Sequence, residues 1–193
     1  MITIEYEGTG YCGWQVQPNG ISVQQVIENA LLDLTGEEIR VNGSGRTDSG
    51  VHALGQTATF MTESGIPGSS FAKALNHRLP DDVSILASCE KDPDFHARFS
   101  ARGKHYRYNI FNRDVASPFF LNRAHRIGRE LDVDLMEEAA GYFKGTHDFS
   151  GFMASGSSVT DTSRTISEIT VGHSGDLVSI DIYGNGFLYN MVR

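Results

Sequence analysis

Apolar and polar residues alternate from Ile2 to Tyr6, the period-two pattern of a strand with one buried face. Over 8–20 the pattern lapses into Gly, Asn and Pro, which predicts a loop. A new period starts at Ser22. Val23, Val26, Ile27, Ala30, Leu31 and Leu34 fall on one stripe of a helix, Ser22 and Gln25 have capping-box spacing, and Gly36 supplies the stop. A short strand over 39–42, a turn-rich loop over 43–50 and a strand over 53–61 follow. Ser69 or Ser70 caps a helix over 71–78 that ends before Pro80. Strands are predicted over 83–90 and 105–111, and a helix opened by Asp132 or Asp134 with Val133, Met136, Ala140 and Phe143 on one stripe. The alternating runs 165–171 and 177–183, joined by His173-Ser174-Gly175-Asp176, read as a hairpin. The segment 186–193 reads as the first turns of another helix. Strands and helices mix without a regular strand–helix–strand repeat, so the fold class is α+β.

A weak internal echo suggests two related halves. Gly8-Thr9-Gly10-Tyr11-Cys12-Gly13-Trp14 resembles Gly145-Thr146-His147-Asp148-Phe149-Ser150-Gly151-Phe152, so each half is expected to hold a strand, this loop and a helix. The expected division is 1–100 and 101–193, with a cleft between the halves as the natural site.

Composition excludes several classes. The 193 residues carry 11 Phe, 7 Tyr and 1 Trp, enough apolar matter to rule out a disordered chain. No apolar run has the length of a membrane span, and no basic-then-apolar segment opens the chain, so the expected compartment is the cytoplasm, with no membrane partner. Cys12 and Cys89 are read as buried thiols. The seven histidines form no metal-binding spacing, so no metal is expected. A net charge of −8 argues, as a total, against nucleic acid. The distribution reverses that. Between 98 and 129 stand Arg98, Arg102, Lys104, Arg107, Arg113, Arg123, Arg126 and Arg129 against the single acid Asp114, a window of +7. Seven aromatics accompany the run: Phe95, Phe99, Tyr106, Tyr108, Phe111, Phe119 and Phe120. Affinity for a polyanion follows the local patch, and basic residues interleaved with rings suit nucleic acid. The run also fits a solvated basic face.

The densest chemistry lies in Gly43-Ser44-Gly45-Arg46-Thr47-Asp48-Ser49-Gly50-Val51-His52-Ala53. Its glycines permit close approach of another backbone or a ligand. Arg46 and Asp48, two residues apart, share one side of an extended chain, and a carboxylate beside a guanidinium is available as a nucleophile or base. A Gly-rich hairpin carrying a surface ion pair fits the same residues. The Gly-Lys-Ser/Thr ending of a phosphate loop is missing. His147-Asp148 followed by Ser150-Gly151 suggests a metal-free hydrolase dyad, without the Gly-x-Ser-x-Gly elbow.

Gly45 through Ala53 resembles the signature loop of the tRNA pseudouridine synthase A (TruA) family. Other segments agree in order: Tyr6-Glu7-Gly8-Thr9 with Tyr11-Cys12-Gly13-Trp14-Gln15, Ala74-Leu75-Asn76 with Leu79-Pro80, and Phe95-His96-Ala97-Arg98-Phe99-Ser100-Ala101. So do Lys104-His105-Tyr106-Arg107-Tyr108, His147-Asp148-Phe149, Thr162-Ser163-Arg164-Thr165-Ile166 and Gly186-Phe187-Leu188-Tyr189-Asn190-Met191-Val192-Arg193.

The resemblance implies a cofactor-free isomerisation of uridine to pseudouridine in the tRNA anticodon arm, at tRNA positions 38–40. Asp48 matches the essential aspartate, attacking either base or ribose. Arg46 matches the residue that helps displace the target base, Tyr106 the tyrosine that packs on the uracil, and Arg193 the basic residue that pairs with the aspartate. The implied fold is α+β, two ferredoxin-like halves around a shared, mostly antiparallel sheet, and the implied assembly is a homodimer with tRNA in a basic groove. Family members continue past the position of Arg193 into a Gly-Leu-x-Leu segment, so the chain reads as C-terminally truncated, and a catalytically impaired RNA-binding module is the alternative.

Overall fold

The computed structural model describes residues 1–157 and 159–193, which form two compact units, Met1–Ala101 and Arg102–Arg193. In the first, β1 (Ile2–Tyr6) lies between β3 (Ala53–Thr59) and β4 (Val83–Ser88), with the two-residue β2 (Asn42–Gly43) outside β3, all antiparallel. The alternation of β1 buries Ile2, Ile4 and Tyr6 on one face. Against that core pack Val23, Ile27, Ala30 and Leu31 of α1 (Val23–Thr35), together with Phe71 and Leu75 of α2 (Phe71–Asn76). The local signals for α1 hold: the Ser22 hydroxyl accepts from the Gln25 N–H at 3.2 Å, and Gly36 takes the left-handed conformation at φ 76°.

Two expectations in this unit change. Residues 39–41 are not a strand, although Ile39 and Val41 are buried. Side chains of α1 take the backbone groups that a neighbouring strand would use: the Val41 N–H donates to Glu28 Oε1 at 2.9 Å, and Gln24 Nε2 donates to the Val41 carbonyl at 3.1 Å. Helix α2 is shorter than expected and follows a 3-10 turn at Gly68–Ser70, with no capping bond from the Ser70 side chain. Its last residue, Asn76, bonds sideways to β4, accepting from the Ile85 N–H at 2.7 Å and donating to the Ile85 carbonyl at 2.9 Å.

In the second unit the sheet order is β6 (His125–Ile127), β5 (Lys104–Asn112), β9 (Leu177–Gly184), β8 (Ser163–Ser174), β7 (Gly145–Asp148), antiparallel except for β5–β6. The β8–β9 hairpin turns through Gly175-Asp176, with Gly175 at φ 58°. Helix α3 (Val133–Gly141) is capped by Asp132, whose carboxylate accepts from the Leu135 N–H at 3.0 Å. Its Ala140 joins Ile110, Ile166, Ile169, Val171 and Val178 in the second core.

The α+β class and the mostly antiparallel pairing are as expected. What the resemblance pictured as one shared sheet is resolved among the described residues into two, one in each unit. Residues 186–193 are not a helix: 186–188 are irregular and 189–192 form turns. Their backbone bonds run three residues back, Met191 to Leu188 and Arg193 to Asn190, and Asn190 has φ 57°, off any helical path. The echo does not mark equivalent places: 8–14 lies between β1 and α1, whereas 145–152 follows α3 as β7 and a 3-10 turn. Among the described residues no helix is long and apolar enough to cross a membrane.

Candidate active site

The Arg46-Thr47-Asp48 segment is held by the body of its unit. The loop after β1 passes close beneath it: the Trp14 N–H donates to the Thr47 carbonyl at 3.0 Å, and the Ser49 hydroxyl donates to the Tyr11 carbonyl at 3.2 Å. Two glycines make this approach possible. A Cβ on Gly8 would stand 2.0 Å from the Val51 carbonyl oxygen, and one on Gly13, itself at φ 111°, would stand 2.6 Å from that of Thr47.

From the sheet side comes a chain of hydrogen bonds. The buried Tyr6 hydroxyl lies 2.8 Å from Thr47 Oγ1 and donates to Gln56 Oε1 at 3.0 Å. Having one proton, Tyr6 therefore accepts from Thr47. Gln56 Nε2 donates to the Gly45 carbonyl at 3.0 Å. The residues on either side of Arg46 are thus fixed by Tyr6 and Gln56. His52 closes the far end, its Nδ1 accepting from the Gly8 N–H at 3.0 Å. The same nitrogen is 3.2 Å from Glu7 Oε1.

On this braced loop Arg46 is exposed and Asp48 half-buried. Among the described residues neither side chain has a hydrogen-bond or ion-pair partner, so the expected Arg46–Asp48 pair is not formed. Arg46 and Asp48 would share one side only on an extended chain, but Asp48 opens a turn, its carbonyl accepting from the Val51 N–H at 3.2 Å, with Gly50 at φ 76°. The Asp48 carboxylate is therefore half-exposed on a loop whose neighbouring positions are hydrogen-bonded.

The other two expected residues lie in the second unit. Tyr106 is on β5, opposite Ile182 of β9, with its ring edge-on to Phe187 at 4.8 Å between centroids. Its neighbours His105 and Arg107 project to the opposite face and share one acceptor: His105 Nε2 is 2.6 Å and Arg107 Nε 2.9 Å from Asp181 Oδ1. The Tyr183 ring stacks on His105 at 4.0 Å. Partial burial pushes the Asp181 carboxyl upward, but the hydrogen bonds from Arg107 and His105 outweigh it and leave the group below the usual carboxylate value. Arg193 is exposed, with its backbone N–H on the Asn190 carbonyl at 3.0 Å.

The hydrolase dyad is overturned. His147 Nε2 lies 2.8 Å from the Lys144 carbonyl, and Asp148 Oδ1 accepts from the Ser150 N–H at 2.9 Å and the Thr162 hydroxyl at 2.6 Å. The Thr162 bond, and then that from Ser150, lower the Asp148 pKa, so this carboxylate tethers a turn. Cys12 and Cys89 are unpaired and only half-buried, where the sequence suggested buried thiols. Among the described residues no three His, Cys, Asp or Glu side chains gather as a metal would require. Sequence reasoning missed Tyr6, Gln56 and Asp181 as supports. The available signal was a polar-tipped residue at a buried or half-buried strand position, which needs a partner somewhere in the fold.

Residues 2–100 and 139–193 match the family model described as tRNA pseudouridine synthase. The chain belongs to this family, a class of isomerases acting on tRNA. Among individual relatives, it is 51% identical over 192 residues to tRNA pseudouridine synthase A of Acetivibrio thermocellus, covering all of this chain and 79% of that protein. The tRNA pseudouridine synthase A of Ruminiclostridium cellulolyticum is 52% identical over 193 residues, and that of Thermoanaerobacter sp. 47%, with the same coverage. These relatives are longer than the chain, as the sequence reading expected of the family.

Proposed function

We propose that this enzyme converts uridine to pseudouridine in the anticodon stem-loop of tRNA, with Asp48 as the nucleophile. The observation that carries the reading is the partnerless, half-buried Asp48 on a loop fixed at Gly45, Thr47 and Ser49, in a chain of this family. The reaction is a balanced isomerisation. The bond from N1 to C1′ breaks, the uracil turns, C5 bonds to C1′, the C5 proton leaves and N1 gains one. No redox partner is needed. A paired base is out of reach of such a carboxylate, so the nucleotide must leave the stack. Arg46, exposed beside Asp48, is suited to fill the space the base leaves. We assign Tyr106 the ring on which the detached uracil is held, and Arg193 a role in binding the substrate. The same reading makes the enzyme a cytoplasmic homodimer, which sedimentation velocity tests for the assembly.

Tritium release from tRNA labelled at uridine C5 measures the reaction. Asp48→Asn keeps the shape of the side chain and removes its charge, and is expected to lower the rate at least ~10³-fold, the scale seen when a nucleophile is lost. Mapping pseudouridine in the product tests the anticodon position. Undiminished release by Asp48→Asn overturns the role of Asp48.

A further inference from the structure

Between β5 and β6 the chain makes an excursion that the core does not explain. Its root is fixed: Phe120 stacks on Phe111 at 4.7 Å between centroids, and the Arg113 guanidinium lies 4.9 Å over Phe111 and 3.3 Å from Asp176 Oδ2. The tip is tightened by a short turn, with the Arg123 and Ala124 N–H groups both donating to the Phe120 carbonyl at 3.1 Å. From this firm base three apolar side chains point into solvent, Val115 at 69%, Phe119 at 87% and Leu121 at 70% exposure. Four exposed arginines share the segment, Arg113, Arg123, Arg126 and Arg129, against one acid, Asp114. The side chains of Arg123 and Arg129 have no partner among the described residues. The surface lies within the stretch that the family model leaves unmatched.

A large ring held out in water by a well-bonded turn loses free energy unless something covers it. The surrounding charge selects what. A second copy of this chain meeting the patch about a two-fold axis would bring the same uncompensated arginines against each other. A nucleic acid offers flat bases for the ring and phosphates for the guanidinium groups. We propose that the 113–129 segment is an RNA-contacting surface in which a base of the tRNA, other than the target uridine, stacks on Phe119 while Arg123 and Arg129 neutralise backbone phosphates. This rests on tRNA being the substrate but not on the role of Asp48.

The test is binding of unmodified tRNA to the whole protein, by fluorescence anisotropy, across a salt series. Phe119→Ala is expected to weaken binding about 5- to 100-fold, and Phe119→Tyr to retain it. The double variant Arg123→Gln with Arg129→Gln is expected to reduce the slope of log K against log salt by about 1.5 to 2. In steady state both raise KM and leave kcat at saturating tRNA. Thermal melts confirm folding, and sedimentation reports assembly. The inference is overturned if both variants bind as tightly as the unaltered protein with the same salt slope. It is equally overturned if weaker binding accompanies a change in sedimentation, which would make the patch a contact between copies. Repeating the binding series in an Asp48→Asn background separates this outcome from failure of the catalytic reading, because it needs no turnover.

Discussion

The loop that carries Asp48 and the excursion that carries Phe119 are both irregular and both rich in chemistry, yet they are held in opposite ways. The first is bonded along its length, at Gly45 by Gln56, at Thr47 by Tyr6 and Trp14, at Ser49 by Tyr11, and what it leaves unpaired is the pair Arg46 and Asp48. The second is anchored at Phe120 and Arg113, and what it leaves unpaired is a ring and two guanidinium groups. A group that must meet one atom of a nucleotide needs a fixed backbone on each side. A surface that meets bases and phosphates over a broad area needs only to be presented. The difference lies in where the bonds come from: the first loop is fixed by residues distant in sequence, the second mainly by bonds within its own segment.

That contrast can be broken by removing supports. Gly13→Ala has the largest expected effect, because the new Cβ would stand 2.6 Å from the Thr47 carbonyl at a φ of 111°. A loss of about 3 kcal/mol is expected in denaturant unfolding, with disruption of the loop and its activity. Gln56→Leu comes next. It removes one acceptor of the Tyr6 hydroxyl and the side-chain donor to the Gly45 carbonyl, and is expected to cost about 1–3 kcal/mol and to lower kcat more than it changes KM. If kcat is unchanged while stability falls, the Gln56 bond serves only the fold. Leu121→Ser should fall within about 0.5 kcal/mol of the unaltered protein, since its side chain is already in water. A large loss there would place the excursion in the core and erase the contrast.

Between these effects lies a pH-dependent one. Asp181 has its carboxyl pKa lowered in the folded state, so its contribution is present above the unfolded value of about 4 and is lost as pH falls through the lower folded value. Asp181→Asn is therefore expected to destabilise by about 1 kcal/mol at neutral pH, and the gap from the unaltered protein should close below about pH 4. Melting curves of the two across that range check it. Because His105 and Arg107 flank Tyr106 on β5, the same variant reports how firmly that strand is held.

Where the sequence was legible, the determinants are local. Helix α1 was readable from its stripe and from Ser22 and Gly36, all within one stretch of chain, and the β8–β9 hairpin from Gly175-Asp176 between alternating runs. Strand β6 escaped notice because it is three residues long, largely exposed and carries His125 and Arg126. Strand β7, Gly145–Asp148, has no buried position to give it a period. The loop glycines and the Arg46-Thr47-Asp48 segment were visible, but the absence of an Arg46–Asp48 pair was not, because it depends on the turn that Asp48 begins. Tyr6 and Gln56 lie 41 and 9 positions from Thr47, and nothing in either local stretch announces that they meet.

The capture of Val41 by Glu28 and Gln24 has a consequence beyond the unit's own packing. Residues 39–41 lead directly into the outermost strand of the first sheet, where free backbone N–H and C=O groups would template pairing with a strand from another molecule. With both Val41 groups already bonded to a helix, the edge ends after two residues. Glu28→Ala should thus reveal itself less in activity than in test tubes left standing, as a slow association of otherwise folded chains.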